Sequence, residues 1–272
     1  MVHLVRMLFP AMVASVLAGC AAAPVQPVRL DTSGVRPDVN FADLAFILEN
    51  ATDEKGFLDY EALKKHAGRL DAQLKALAVS GPTASPGLYP TPEARLAYWY
   101  NARAAWAIKL AFDANCPRGG LARACLEERP FPLDGRRMTL DTIDAVLAGE
   151  ADWRIPAAAP CVRLHRPRLP RQPFEGNTVL CESHRRFEEF LADRSRFIID
   201  VGSRTILFPP ALWALRGRLI GDYDREYRTQ GATLNTALLR FVSGLAEFRL
   251  QNAIGYAEAP EPPGGPLACL RY

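Results

Sequence analysis

Apolar residues recur along this chain mostly at steps of three and four, the spacing of a helix with one buried face. Leu44, Ile47 and Leu48 share a face in a stretch that Asn40 can cap. After a break at Gly56 a second helix starts near Asp59, with Leu63, Ala67, Leu70, Leu74 and Leu77 in register. A Pro/Gly/Ser-rich loop covers 80–92, and the most apolar helix follows, from Glu93 to Asp113. The pattern then shortens. Phe131–Leu133 and Arg136–Met138 flank Asp134-Gly135, the preferred pair for a tight type I′ hairpin turn. Thr139 caps a helix carrying Leu140, Ile143 and Leu147, which Gly149 ends. A Pro/Arg-rich loop spans 156–176, and Phe187, Phe190 and Leu191 mark a helix over 182–194. Phe197–Val201 and Arg204–Phe208 are strand-like and joined by Gly202-Ser203, a second hairpin. Helices over about 211–220 and 233–248 complete the pattern. No internal repeat is present. Helices interspersed with short hairpins predict an α+β fold: one predominantly helical domain with a small antiparallel sheet.

The first residues follow another rule. Arg6 leads an uncharged apolar run from Met7 to Ala18, long enough for a secretory signal and too short for a membrane span. The run ends in Leu17-Ala18-Gly19-Cys20, which resembles the bacterial lipobox. That resemblance implies cleavage before Cys20, acylation of its thiol and amine by palmitate-like chains, and a lipoprotein anchored in the cell envelope without spanning the bilayer. Ala21 in place of Asp implies the outer membrane, facing the periplasm. The expected organisation is a signal peptide (1–19), lipidated Cys20 with a flexible tether (20–38), a globular domain (39–256) and a loose Pro/Gly-rich tail (257–272).

Composition narrows function by exclusion. The 272 residues are 49% hydrophobic and 23% charged, ordinary for a globular domain. With 33 Lys+Arg against 30 Asp+Glu, the net charge of +3 is no footprint for nucleic acid. No P-loop, dinucleotide fingerprint, HExxH or GxSxG occurs, and no cofactor is implied. The membrane is the expected partner through the N-terminal lipid, and no protein partner is specified.

Several residues could carry chemistry. Asn101 has apolar helical neighbours, Ala97, Tyr98, Ala104 and Ala105, so its amide points inward. There it either bonds a neighbouring loop or lines a cleft. Arg103 lies between Trp99 and Trp106, where its stem can cross the rings and its head reach water. Five cysteines remain after Cys20, and an exported chain favours disulfides. Cys116 and Cys125, across a short Gly-containing loop, are the leading pair. Cys161 with Cys181 would brace the Pro/Arg loop, which leaves Cys269 over. Two other readings compete for these thiols. Cys161 could be a nucleophile with His165 as base, or Cys181 with His184. Cys161, His165, Cys181 and His184 also have zinc-like spacing, interrupted by Pro167, Pro170 and Pro173. Finally, Arg163, Arg166, Arg168 and Arg171 sit in a stretch without acids and could bind an anionic envelope component.

Four segments resemble one family. Gly56-Phe-Leu-Asp59-Tyr60, Tyr98-Trp99-Tyr100-Asn101-Ala102, Leu140-Asp141-Thr142-Ile143-Asp144, and Asp152-Trp-Arg154-Ile155 with Cys161 and Pro167-Arg-Leu169 follow, in order, motifs of the domain-of-unknown-function 547 family. The resemblance covers about 40–225. It implies a fold distantly like the papain/transglutaminase class and a cleft near Asn101, Asp144, Arg154 and Cys161. The departures are as informative. Ala104, Ala145, Pro156 and Arg166 stand where the family has Asn, His, His and Cys. Loss of both histidines removes the usual acid–base groups. The sequence therefore points to a non-catalytic binding or scaffolding module of the envelope. A cysteine-dependent hydrolase or acyl transferase, acting on envelope peptide or amide bonds, is the alternative.

Overall fold

A computed structural model describes residues 25–38, 40–193, 197–262 and 265–270. The expected signal peptide and Cys20 lie outside these residues. The fold is α+β and mostly helical, and it forms one domain.

Helix α1 (Ala42–Asn50) packs on α2 (Tyr60–Val79), and α2 packs on α3 (Pro92–Asp113). Asp59 caps α2 by accepting from the Ala62 N–H, and Thr91 caps α3 through the Ala94 N–H. Helix α3 is the axis of the main core. From Leu96 to Ile108 every residue is buried, including Arg103, so the helix contacts protein on all sides rather than along one stripe. Trp106 stacks on Phe131 with ring centroids 4.1 Å apart.

After α4 (Arg123–Leu126), strands β2 (Phe131–Leu133) and β3 (Arg136–Met138) form the expected hairpin. Asp134 and Gly135 take φ of +54° and +71°, the left-handed pair a type I′ turn demands. Thr139 closes a capping box on α5 (Leu140–Ala148). The short α6 (Arg154–Ala157) leads into the Pro/Arg loop, which Gly56 helps to seat. At φ +72°, a Cβ on Gly56 would lie 2.5 Å from the Leu169 carbonyl oxygen, so only glycine allows this approach.

A second apolar cluster forms around α7 (Val179–Ala192), β4 (Ile198–Asp200), β5 (Thr205–Phe208) and α8 (Pro210–Tyr227). It includes Trp153, Phe187, Phe197, Phe208 and Leu212. The β4–β5 connection is longer than the two-residue turn expected. Asp200 accepts from the Gly202 and Ser203 N–H groups, which draws 201–204 into the turn. The helix expected over 233–248 is broken into α9 (Leu234–Leu238), a 3-10 turn at Leu239–Phe241, and α10 (Gly244–Asn252). Val242 is extended and Gly244 has φ +60°, so the chain turns between the pieces.

Both ends depart from the expectation of loose segments. Strand β6 (Ala257–Pro260) pairs parallel with β5, and β7 (Cys269–Leu270) pairs parallel with β1 (Leu58–Asp59). The sheets are therefore not purely antiparallel. Leu267 and Ala268 are buried, which explains why a Pro/Gly-rich tail is held down. At the other end Val28 and Leu30 pack against the main core, so that part of the presumed tether belongs to the domain.

Candidate functional site

Four of the residues singled out as a cleft occupy three different settings. Asn101, fully buried on α3, donates from Nδ2 to the Phe174 carbonyl (2.9 Å) and accepts from the Phe174 N–H (2.8 Å). Its amide thus satisfies both backbone groups of one residue in the Pro/Arg loop. That is the structural alternative, and it ties the loop to the core helix.

Asp144 and Cys161 meet around Arg103. Contrary to the expected surface orientation, the Arg103 side chain is 0% exposed. Its residue types at steps of three and four (Trp99, Tyr100, Trp106, Ala107) are apolar, a signal that the whole helix turn is interior. Arg103 forms a two-pronged pair with Asp144, Nε to Oδ1 at 2.5 Å and Nη2 to Oδ2 at 3.0 Å. It also donates to the Pro160 carbonyl. Cys161 is a near neighbour of the same guanidinium. Burial opposes the charge on Arg103, but Asp144 and Cys161 outweigh it and raise its pKa above the ordinary guanidinium value. Burial likewise opposes the Asp144 carboxylate, and Arg103 and Arg166 hold its pKa below the usual range. Arg166 reaches Asp144 at 3.1 Å. The residue that stands where the family resemblance implies a cysteine is thus the second clamp on this carboxylate. Cys161 is fully buried, and no hydrogen bond joins it to a histidine among the described residues.

Arg154 belongs to a third group. Its Nε and Nη2 donate to Asp152 at 2.8–3.1 Å, and His184 Nε2 lies 2.7 Å from Asp152 Oδ2. Burial works against the Asp152 carboxylate, yet these hydrogen bonds prevail and lower its pKa. Pairing of His184 with Asp152 was not foreseen, because 32 residues separate them. Cys181 precedes His184 by one helical turn and is an exposed free thiol, but no hydrogen bond links the two.

The cysteine pairing expected from loop length is corrected. Cys116 bonds Cys269, not Cys125, and Cys125, Cys161 and Cys181 are free. The parallel pairing of β7 with β1 delivers Cys269 to the end of α3, which sequence separation alone cannot show. Among the described residues no group of three or more His, Cys, Asp or Glu is placed to hold a metal, so the zinc-like set does not assemble.

The arginine patch is also divided. Arg163 is 1% exposed and pairs with Glu127, donating in addition to the Gly265 and Leu121 carbonyls. With Arg166 taken by Asp144, neither is available to an external anion. Arg163 is buried because the loop folds inward against α4 and the C-terminal segment, and Arg166 is half-buried against Asp144 of α5. Arg168 and Arg171 instead line a cavity of about 750 Å³ between 54–57, the Pro/Arg loop and α7. The Arg168 guanidinium lies 4.5 Å from the centre of the Phe57 ring.

The cavity wall brings in Arg186, a residue the periodicity did not single out. Its Nη1 donates to the Arg168 carbonyl (3.2 Å), but among the described residues its buried Nε has no partner and no carboxylate lies within ion-pair distance. Burial lowers its pKa, only partly opposed by Glu189 and Glu182. Lys55, Arg185, Glu54, Glu182, Glu189 and Asp193 complete a lining of both signs. Arg185 and Glu189 pair with each other.

No family model matches the chain, and no curated protein or solved structure matches it either.

Proposed function

We propose that this chain is an exported lipoprotein of the bacterial cell envelope, anchored through lipid on Cys20, whose domain is a non-catalytic binding module. Its relation to the domain-of-unknown-function 547 family is part of the same proposal. The observation that carries the binding reading is Arg186. A guanidinium on a cavity wall, with a buried N–H left unmatched and no carboxylate in reach among the described residues, is a site that an external acceptor completes. Arg171 adds a second cation to the same wall. The lining of both signs suits a ligand whose carboxylate or phosphate lies next to donor groups, as in the anionic components of an envelope.

The hydrolase alternative is disfavoured by the same geometry. Acyl transfer needs a thiol that a carbonyl can reach and a base within hydrogen-bond distance. Cys161 is enclosed beside Arg103, out of reach of a substrate carbonyl.

Calorimetric titration of the intact protein with inorganic phosphate and with N-acetylglycine tests the binding reading. Saturable binding of either is expected. An Arg186→Gln variant of unchanged melting temperature should lose it by at least about tenfold, the order of one charge-assisted hydrogen bond. If the unmodified protein binds neither probe, or Arg186→Gln binds as well as the parent, the cavity reading is wrong.

A further inference from the structure

The N-terminal segment lies on the domain before it reaches the expected anchor. The Val28 N–H donates to the Pro130 carbonyl (2.8 Å), and Arg129 Nε donates to the Gln26 carbonyl (3.0 Å). Residues 26–28 are thereby fastened beside the start of β2. Only six residue steps separate Gln26 from Cys20, and six steps span at most about 20–22 Å when fully extended. A lipid on Cys20 therefore cannot hold this edge of the domain farther than that from the bilayer surface.

The surface kept close is basic. Arg29, Arg136 and Arg137 line a shallow cavity of about 740 Å³ together with Val28, Thr32 and Pro132. All three arginines are exposed. No carboxylate lies within ion-pair distance of Arg29 or Arg137 among the described residues. The nearest to Arg136 is Asp134, 3.7 Å away, and that side chain is buried and occupied by the Thr83 and Ala84 N–H groups at 2.9 and 2.7 Å. Asp31 is the exposed acid of this edge, held by the Ser33 N–H (3.0 Å), with Lys75 as a charged neighbour. The rigid β2–β3 turn holds Arg136 and Arg137 on strand β3, next to the docked N-terminal segment.

We infer that this edge of the domain, formed by Arg29, Arg136 and Arg137 around the β2–β3 hairpin, binds the anionic headgroups of the bilayer that carries the anchor. The inference rests on the lipoprotein reading for its geometry. It assigns the domain one orientation, with the hairpin edge on the membrane. Each arginine near an anionic surface raises partitioning about fivefold, and salt screens the effect.

The test uses full-length acylated protein reconstituted in vesicles of phosphatidylcholine alone, or of phosphatidylcholine and phosphatidylglycerol in equal parts. Flotation reports anchoring, and amide hydrogen exchange reports which face is covered. The expected result is flotation with both vesicles, with added protection of 26–30 and 131–138 only on the anionic ones. R136E/R137E should abolish that protection while flotation persists, and its melting temperature checks the fold. Equal protection on both compositions, or protection confined to another face, overturns the inference. Failure to float on neutral vesicles sinks the anchor reading instead. The hairpin edge is then judged by flotation with anionic vesicles alone: flotation that R136E/R137E removes supports it, and its absence overturns it.

Discussion

At the residue scale, the centre of gravity is the Arg103–Asp144–Arg166 cluster. Arg103 is fully enclosed, so its charge is tolerable only while Asp144 is ionised beside it. Replacing Asp144 with Asn is expected to destabilise the fold by about 3–5 kcal/mol, the usual cost of stranding a buried charge. The pH dependence has a definite sign. The folded pKa of Asp144 lies below the ordinary value of 3.8. Between the two values the unfolded chain binds the extra proton, so this contribution is full above about 3.8 and is lost as pH falls through the folded value. Denaturant unfolding followed from neutral to acid should show a steep decline for the parent and a flatter one for Asp144→Asn. Parallel curves would mean that Asp144 is not the titrating partner. Asn101 illustrates how far single residues can be read. Its inward amide was evident from its apolar helical neighbours, whereas the Phe174 backbone as partner, 73 residues away, was not.

At the element scale, the C-terminal strands do what their composition conceals. A segment rich in proline and glycine has little intrinsic strand preference. It is held by β6 on β5, β7 on β1, the buried Leu267 and Ala268, and the Cys116–Cys269 bond across 153 residues. Removing that bond in Cys269→Ser is expected to cost about 2–4 kcal/mol. It should also open the region after Pro260 to proteolysis before the rest of the domain. Thiol alkylation followed by mass analysis checks the pairing. In the native oxidised protein Cys181 should react, Cys161 should react only on unfolding, and Cys116 and Cys269 only on reduction. Modification of native Cys116 would contradict the bond. Hairpin β2–β3 is the opposite case, because Asp134-Gly135 encodes its own turn and needs no partner from afar.

At the scale of the whole molecule, two apolar clusters share a boundary. Helix α6 belongs to both, with Ile155 in the main core, where its carbonyl accepts from Tyr100 (2.6 Å), and Ala157 in the second cluster. Arg218 of α8 donates to the Ala148, Glu150 and Ala151 carbonyls at 2.5–2.9 Å. Helix α6 contacts α5, α7 and α8. Such cross-bracing predicts one cooperative thermal transition, with calorimetric and van't Hoff enthalpies in agreement. Phe187→Ala, in the second cluster, should lower that single transition by about 3–5 kcal/mol of stability. Two separated transitions, only one of them moved by Phe187→Ala, would show that the clusters fold independently.

What the sequence determined by itself is what local rules govern. Helix faces follow from the spacing of apolar residues, the start of α2 from the break at Gly56 and Asp59, the cap of α5 from Thr139, and the tight turn from Asp134-Gly135. Each depends on atoms a few residues apart, so the pattern carries the answer. The tertiary structure alone decided which side chains meet. It paired Cys116 with Cys269, enclosed Arg103 and Arg163 with carboxylates from other elements, set His184 on Asp152, and left Arg186 on a cavity wall without one. These contacts join residues tens to more than a hundred positions apart. They exist because packing the helices brings those positions together, and no local preference of the chain encodes that.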